Sequence, residues 1–349
     1  MKVIITGILG QDGANMAEFL LENTDVHIYG VMRRSANPNY VNATKFISNP
    51  RFKMLYGDLT DSVSIDNIVK EIQPDYFINF AAQSFVGCSW EIPLQTFDVN
   101  ATGVARCLEA IRRFQPKCKF YSSGSSEEFG DVIYSPQDIN HPIRPRSPYG
   151  ASKASARQLV KVYRDSYKLY AVHGILFNHE GTKRGEEFVT RKISKGVAHI
   201  YHSIKNKQPF NPIELGNLDA KRDWSDSEDF VVAVWKMLNQ TEPKDYVISS
   251  DETHSIREFI ELAFKAANIE GAWHGNGIFE EYSITNNMAD LVDIKSSVLI
   301  KINPKYYRPA EVDLLLGNSS PARKDLDWHP KTRFNELVEK MVNFDIDNY

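Results

Sequence analysis

Val3-Ile-Ile-Thr-Gly-Ile-Leu-Gly-Gln-Asp-Gly13 is the stretch that decides the fold. The apolar run Val3 to Ile5 is long enough for one buried strand, and Thr6-Gly7 closes it. Met16, Phe19 and Leu20 then recur at helical spacing, and a second apolar run follows at Ile28 to Val31, which completes a strand–helix–strand unit. In that frame Gly7, Gly10 and Gly13 let the backbone amides at a helix N-terminus approach a pyrophosphate closely. A glycine triplet alone would equally suit a tight turn; the surrounding strands make it a dinucleotide site. Ile8, Leu9, Gln11 and Asp12, which fill the gaps between the glycines, are candidate cofactor contacts with them.

The same rhythm continues outward. Ile65, Ile68, Val69 and Ile72 share one helical face, Tyr76 to Phe80 reads as a strand, Val104, Leu108 and Ile111 share another helical face, and Lys119 to Ser122 is again a strand. The pattern predicts an α/β fold, a Rossmann-like doubly wound parallel sheet over about the first 170 residues. Beyond Phe177 it loosens into a basic stretch, Thr182 to Lys195, and a Pro/Asn-rich patch around Lys207 to Pro212. Strand and helix return near Tyr246 to Ser249, and Ser255 and Glu258 have capping-box spacing ahead of Phe259 and Leu262. The expected organisation is a dinucleotide domain at 1–177, rejoined by segments near 215–250, with 178–349 mainly a smaller mixed lobe over the carboxyl ends of the strands.

Composition narrows the function classes. A net charge of −4 over 349 residues, 42% of them hydrophobic, gives no global attraction to nucleic acid or an anionic membrane. The first apolar run is far too short for a signal segment or a span, so the chain reads as cytoplasmic. Cys88, Cys107 and Cys118 lack metal-ligand spacing and form no even-numbered disulfide framework, which fits a reducing compartment. The histidines are scattered without ligand spacing, and no protein-bound metal is expected.

Cofactor type is read at the end of the second strand. An NAD enzyme usually places an acid there for the ribose 2′-hydroxyl, but this chain has Arg33-Arg34-Ser35, and two guanidiniums suit a 2′-phosphate. NADP is therefore favoured over NAD. Asp58-Leu59, after the third strand, falls where such folds meet the adenine, and Phe80-Ala81-Ala82-Gln83-Ser84, after the fourth, is small enough to approach the bridging phosphates.

The chemistry is read further along. Tyr149-Gly-Ala-Ser-Lys153 puts a phenol and an ammonium one helical turn apart. Tyr201 and Lys205 repeat the spacing by accident; what singles out Tyr149 is the polar run Ser122 to Glu127 after a strand, and Ser147-Pro148 just ahead. A phenol with pKa ~10 must fall about three units to act as a base near neutrality, worth ~4 kcal/mol. One ammonium about 4 Å away, at an effective dielectric of about 20, supplies that amount. Glu127 decides among reactions: an epimerase or dehydrogenase needs only the tyrosine, lysine and a hydroxyl, whereas removing water across C5 and C6 also needs a group that handles the C5 proton. Glu128, next to it, reads as a surface acid.

These stretches resemble the GDP-mannose 4,6-dehydratases, a family of extended short-chain dehydrogenases/reductases. The resemblance rests on Gly7 to Gly13, Tyr56-Gly-Asp-Leu-Thr-Asp61, Ser147-Pro-Tyr-Gly150, Gly174-Ile-Leu-Phe-Asn-His-Glu180, Phe188-Val-Thr-Arg-Lys-Ile-Ser194, Leu215-Gly-Asn-Leu-Asp-Ala-Lys-Arg-Asp-Trp224 and Tyr307-Arg-Pro-Ala-Glu-Val-Asp313, which span nearly the whole chain. It implies conversion of GDP-mannose to GDP-4-keto-6-deoxymannose and water by internal hydride transfer, with Ser125, Glu127, Tyr149 and Lys153 as the catalytic set. Ser125 stands where the family often has threonine, and Ser126 where related dTDP-glucose dehydratases have an aspartate, so Glu127 is implied to serve both the C5 proton and the C6 hydroxyl. His179 and Arg184 match cofactor contacts. Ser84, Ser126, Asn178, Val189, Lys192, Gly216, Arg222, Arg308 and Glu311 fall on segments that surround the nucleotide sugar. Arginines suit a diphosphate and a carboxylate can accept from guanine, although a structural ion pair is the plain alternative for Arg308 and Glu311. The loop from Arg33 to Tyr40 matches one that enters a neighbouring subunit, which implies a homotetramer.

Three departures from the family pattern stand out. Gln95 replaces a frequent tyrosine, Glu186-Glu187 a less acidic pair beside the sugar, and Glu128-Phe129 an apolar–aromatic pair. The second leaves GDP-manno-heptose or another GDP-hexose open as substrate. A nucleotide-sugar reductase or epimerase is the nearest rival activity, and a non-catalytic NADP-sensing regulator a remote one.

Overall fold

The computed structural model describes residues 1–285, 297–307 and 314–349. Seven parallel strands form the main sheet: β1 (Lys2–Thr6), β2 (His27–Met32), β3 (Phe52–Tyr56), β4 (Tyr76–Asn79), β5 (Lys119–Ser123), β6 (Ala171–Leu176) and β11 (Tyr246–Ile248), in spatial order β3-β2-β1-β4-β5-β6-β11. Ile5 of β1 pairs with Gly30 on one side and Ile78 on the other, so the strand order reverses between β1 and β4. A crevice opens at the carboxyl ends of the strands at such a switch point. All six residues of β6 are buried, as the unbroken apolar runs of a sheet covered on both faces require.

Helices α1 (Gln11–Asn23) and α7 (Ser227–Leu238) cover one face through Met16, Leu20, Phe230 and Val234. Helices α2 (Ser62–Ile72), α4 (Gly103–Phe114) and α5 (Pro148–Tyr167) cover the other through Ile65, Val69, Val104, Leu108 and Val160. The short α3 (Pro93–Phe97) runs into α4 through a π turn at Asp98–Thr102. Thus the parallel sheet and its alternating helices agree with the sequence reading.

The rest of the described chain builds a smaller mixed lobe. Strands β13 (Gly271–His274), β14 (Glu281–Ile284), β15 (Val298–Ile302) and β8 (Ile213–Leu215) form a second sheet, antiparallel except where β15 meets β8. Helices α6 (Val189–Lys205), α8 (Ile256–Ala266) and α10 (Phe334–Asp347) enclose a core that includes Ile193, Val197, Phe259, Phe264 and Met341. Arg191 donates to Asp345 at 2.8 Å and Ser194 to the same carboxylate at 2.6 Å, which ties α6 to α10 through a buried ion pair. The capping box at Ser255 and Glu258 is formed, with reciprocal bonds of 3.1 and 3.0 Å. Two short pairs, β7 (Asn178–Glu180) with β10 (Trp224–Asp226) and β9 (Lys221–Arg222) with β12 (His254–Ser255), join the two parts beside the switch point. A short α9 (Ser320–Leu326) packs near β11.

Candidate active site

Gly7, at φ +68, and Gly13 shape the turn after β1 by exclusion. A Cβ on Gly7 would lie 2.8 Å from the Ala81 nitrogen, and one on Gly13 only 2.3 Å from the Gly7 oxygen. Gly10 caps α1 without any side-chain bond, so the first amides of that helix face the crevice with no side-chain acceptor, the donor set a pyrophosphate needs. Thr6 and Asn79 bond at 2.6 Å across the switch point, and the Ala81 amide donates to Thr6 Oγ1 at 3.2 Å. Arg33 and Arg34 are exposed at the end of β2, and no ion pair holds either among the described residues.

Several other positions named from the sequence have side chains that are buried or already engaged. Ile8 is wholly buried and Leu59 lies under Gly103 of α4, so their side chains belong to the core. Gln11 is turned inward to donate to the His179 carbonyl at 3.0 Å. Asp58 Oδ1 accepts from the Thr60 amide at 2.9 Å and its hydroxyl at 2.8 Å, closing its own turn. Leu9 is partly buried against the same core, and its carbonyl accepts from Asn42 at 3.1 Å. Phe80, Ala82 and Ser84 line the cleft while Gln83 is held behind them by Asn100, which accepts from its amide at 2.9 Å and donates to its carbonyl at 3.0 Å. Asn100 also donates to Ser152 at 3.0 Å, joining the loop after β4 to α5. Sequence reading passed over Asn100 because a π turn, which aims it inward, leaves no trace in apolar spacing.

Beyond this turn lies a cleft of about 1090 Å³ into which Ser125, Glu127, Tyr149 and Lys153 converge. Ser147 caps α5 by accepting from the Gly150 amide at 3.0 Å, and Pro148 occupies its first turn, so Tyr149 enters the cleft from a fixed helix start. Burial pushes the Tyr149 phenol up to about 12; its hydrogen bond with the Ser125 side chain and the Arg184 guanidinium act against that rise, and Glu127 adds to it. Lys153, expected with the cationic nicotinamide to lower this phenol, is turned toward the backbone. Its Nζ donates to the Ser123 carbonyl at 2.6 Å and stands 5.9 Å from the Tyr149 ring centre. Burial draws the Lys153 ammonium down to about 8, against the pull of Glu128 and Asp12.

Glu127 is half-buried on the 3-10 turn Ser126–Glu128, which Ser125 caps by accepting from the Glu127 amide at 3.2 Å. Glu128 is not the surface acid that its neighbourhood in sequence suggested. It is wholly buried, with Oε1 accepting from the Ser125 amide at 2.9 Å and lying 2.9 Å from His173 Nε2. The reversal arises because the 3-10 turn points adjacent side chains in different directions, one to the cleft and one beneath it.

Asp12, His179 and Arg184 form the opposite wall. His179 Nε2 lies 2.9 Å from Asp12 Oδ2 and its Nδ1 2.7 Å from the Phe177 carbonyl. Burial pulls this imidazole down, but the Asp12 carboxylate overrides it and holds the ring above its ordinary value. Burial likewise works to raise Asp12, and His179 with Arg184 outweighs it, leaving the carboxyl below its usual range. Arg184 pairs with Glu180 at 3.0 Å and covers the Phe188 ring at 3.5 Å.

Ser126 from the turn after β5, and Asn178, Val189, Lys192, Gly216 and Arg222 from beyond β6, all reach the cleft. Lys192 donates to the Glu214 carbonyl at 2.5 Å and stands 3.7 Å over the Tyr306 ring, an aromatic the sequence reading did not single out. Arg222 is buried and donates to the Lys221 carbonyl at 2.9 Å. Arg308 and Glu311 lie outside the described residues. Glu186 and Glu187 do line the cleft, although Glu186 is engaged by Lys195; Gln95 is exposed on α3 away from it. Among the described residues no group of three His, Cys, Asp or Glu is placed to hold a metal ion, and no helix is long and apolar enough to cross a membrane.

Known proteins resemble this chain over nearly its whole length. The family model described as GDP-mannose 4,6 dehydratase matches residues 4–341. A GDP-mannose 4,6 dehydratase of Drosophila melanogaster is 44% identical over 99% of this chain and 86% of its own length. Those of Vibrio cholerae and Homo sapiens are each 41% identical over 99% of this chain, and 93% and 91% of theirs. Among solved structures, dTDP-glucose 4,6-dehydratase from Bacillus anthracis in complex with NAD superposes with a TM-score of 0.78 at 19% identity, covering 100% of this chain and 97% of that one. The RMD protein of Pseudomonas aeruginosa complexed with NADPH gives 0.74, also at 19%, covering 99% of each. These distant structures share the fold.

Proposed function

The chain belongs to the GDP-mannose 4,6-dehydratase family, and from that premise we propose that its cleft converts GDP-mannose to GDP-4-keto-6-deoxymannose and water, with NADP as resident cofactor. The observation that carries the reading is the meeting of a phenol, a hydroxyl and a half-buried carboxylate in one cleft, directly beyond a helix start shaped for a diphosphate. When bound, NADP would accept a hydride from C4 of the hexose and give it back at C6. The amides of residues 7–13 would hold its pyrophosphate, Arg33 and Arg34 its 2′-phosphate, and Asp58, the backbone around Leu59 and residues 80–84 its adenosine and bridging portions. Lys153, His179 and Arg184 would bound the nicotinamide end.

The chain's own groups then move the protons. Tyr149 takes the 4-hydroxyl proton through its bond with Ser125, which leaves a ketone that acidifies C5–H. Glu127 removes the C5 proton and delivers a proton to the departing C6 hydroxyl, which leaves as water. The proton taken from O4 returns to C5, so both residues finish as they began. Ser84, Ser126, Asn178 and Val189 would position the hexose, and Lys192, Gly216 and Arg222, with Arg308 and Glu311, the nucleotide. Residues 1–177 with segments near 215–250 serve the cofactor, and the lobe within 178–349 serves the sugar nucleotide. The working form is a cytoplasmic homotetramer joined through the loop from Arg33 to Tyr40.

Turnover of GDP-mannose with NADP in deuterated water tests the reading. The expected product is the 4-keto-6-deoxy sugar carrying solvent deuterium at C5. A product without that label removes the proton shuttle, and success only in a reductase or epimerase assay removes the dehydratase. Cofactor choice is checked separately: Arg33→Asp should lose preference for NADP over NAD, and an unchanged preference would place the 2′-phosphate elsewhere. Because Glu187 lines the cleft, GDP-manno-heptose belongs in the substrate panel.

A further inference from the structure

Directly beneath the catalytic turn lies an acid–imidazole pair that no step above uses. Glu128 and His173 are both wholly buried, 2.9 Å apart, and come from different elements, the 3-10 turn after β5 and the middle of β6. They fill the place where residue 124 would carry a side chain. A Cβ on Gly124 would lie 2.2 Å from His173 Nε2, 2.7 Å from Glu128 Oε1 and 2.7 Å from the Gly174 oxygen. The glycine, the acid and the imidazole therefore fit only as a set.

Removing a carboxylate from water costs several kcal/mol unless its lone pairs are met. An apolar residue would fill this volume without that cost, so packing does not account for the pair. Two consequences of its placement do. Oε1 accepts from the Ser125 amide at 2.9 Å, which anchors the start of the turn carrying Ser125 and Glu127. Its charge also favours the ammonium form of Lys153 against the burial of that group.

We infer that Glu128 and His173 are positioning residues for the dehydration: the pair pins the Ser125–Glu127 turn from below and sets a buried negative charge under Lys153. His173 orients the carboxylate by donating from Nε2, since its other ring nitrogen has no partner among the described residues. The groups facing Lys153 are Glu128 from the turn, Asp12 from α1, Tyr149 from its own helix and the Ser123 carbonyl from β5, with His179 and Arg184 bound up beyond Asp12. Glu128 is the leading counter-charge opposing the burial that drives the Lys153 proton off. Without it the ammonium should be lost at lower pH.

This rests on the dehydratase reading, and the test separates the two. Initial rates with GDP-mannose and NADP are measured across pH ~6–10 for wild type, Glu128→Gln and the double variant Glu128→Leu/His173→Leu. The double variant replaces the hydrogen-bonded pair by apolar volume, an exchange that buried polar pairs often tolerate without loss of stability. The expected result is a KM for GDP-mannose within ~3-fold of wild type, kcat lowered ~10-fold, and an alkaline limb of kcat ~1 pH unit lower in both variants, the size of a lost counter-charge at close range. A limb that stays in place in either folded variant overturns the inference, because a merely structural pair would lower activity at every pH alike. Wild type that forms no dehydrated product overturns the dehydratase reading instead.

Discussion

Tyr149 and Lys153 do not divide their labour as their spacing suggests. The lysine donates to the Ser123 carbonyl, and among the groups that act against the rise of the phenol are Ser125 and Arg184. A lysine held at about 8, below its ordinary 10.5, destabilises the fold at and below pH 8, by ~3 kcal/mol at most, and that cost fades as pH rises from 8 to 10.5. Wild type should therefore gain stability relative to Lys153→Met across that window, while its activity falls as the ammonium is lost. Paired denaturation curves check this; a constant difference between the two proteins would refute it. Glu127→Gln keeps the shape but cannot shuttle a proton, so dehydration should drop ~10²–10⁴-fold while the first oxidation survives. Transient NADPH absorbance without a 6-deoxy product is the signature, and near-normal dehydration would assign the C5 proton to another group. Glu128, the neighbour of Glu127, does not line the cleft and lies wholly buried beneath it. Its burial was illegible because the partner that explains it, His173, lies 45 residues away. The pairing of Asp12 with His179, 167 residues apart, hid for the same reason.

Among the elements, legibility followed locality. The turn into α1 could be read because three glycines and a strand lie within one short stretch, and the Ser255–Glu258 box because a cap bonds its own helix. The short pairs β7–β10 and β9–β12 could not, since strands of two or three residues show no alternation and depend wholly on distant partners. They matter for the site: β7 carries Asn178 and His179, and β9 carries Arg222. The α1 turn also yields a prediction. In Gly13→Ala the new Cβ would meet only backbone, the Gly7 carbonyl and Ile8 Cα, so α1 must withdraw from β1. A loss of about 1–3 kcal/mol and a much smaller rise in melting temperature on adding NADP are expected. An unaltered NADP-induced rise would show that the helix start does not hold the pyrophosphate.

At the scale of the molecule, the parallel sheet was legible from apolar rhythm, whereas the lobe's mixed sheet was not, because β8 and β15 pair across a long stretch of sequence. The proposed tetramer is checked by sedimentation with dilution: activity should fall as subunits separate, and a fully active monomer would discard the role of the loop from Arg33 to Tyr40. The interleaving of the two parts reaches further, into how the protein is made. β11 joins β6 only after the lobe's α6 and β8 have been passed, and α7 reaches α1 from the same late segment. A ribosome that has released residues 1–177 has thus produced a sheet with a bare edge at β6 and an uncovered apolar stripe on α1. Such edges recruit other strands. Translation between residues 178 and 248 is consequently the interval in which this chain is most exposed to aggregation, and a pause there should raise its demand for chaperones more than a pause anywhere earlier.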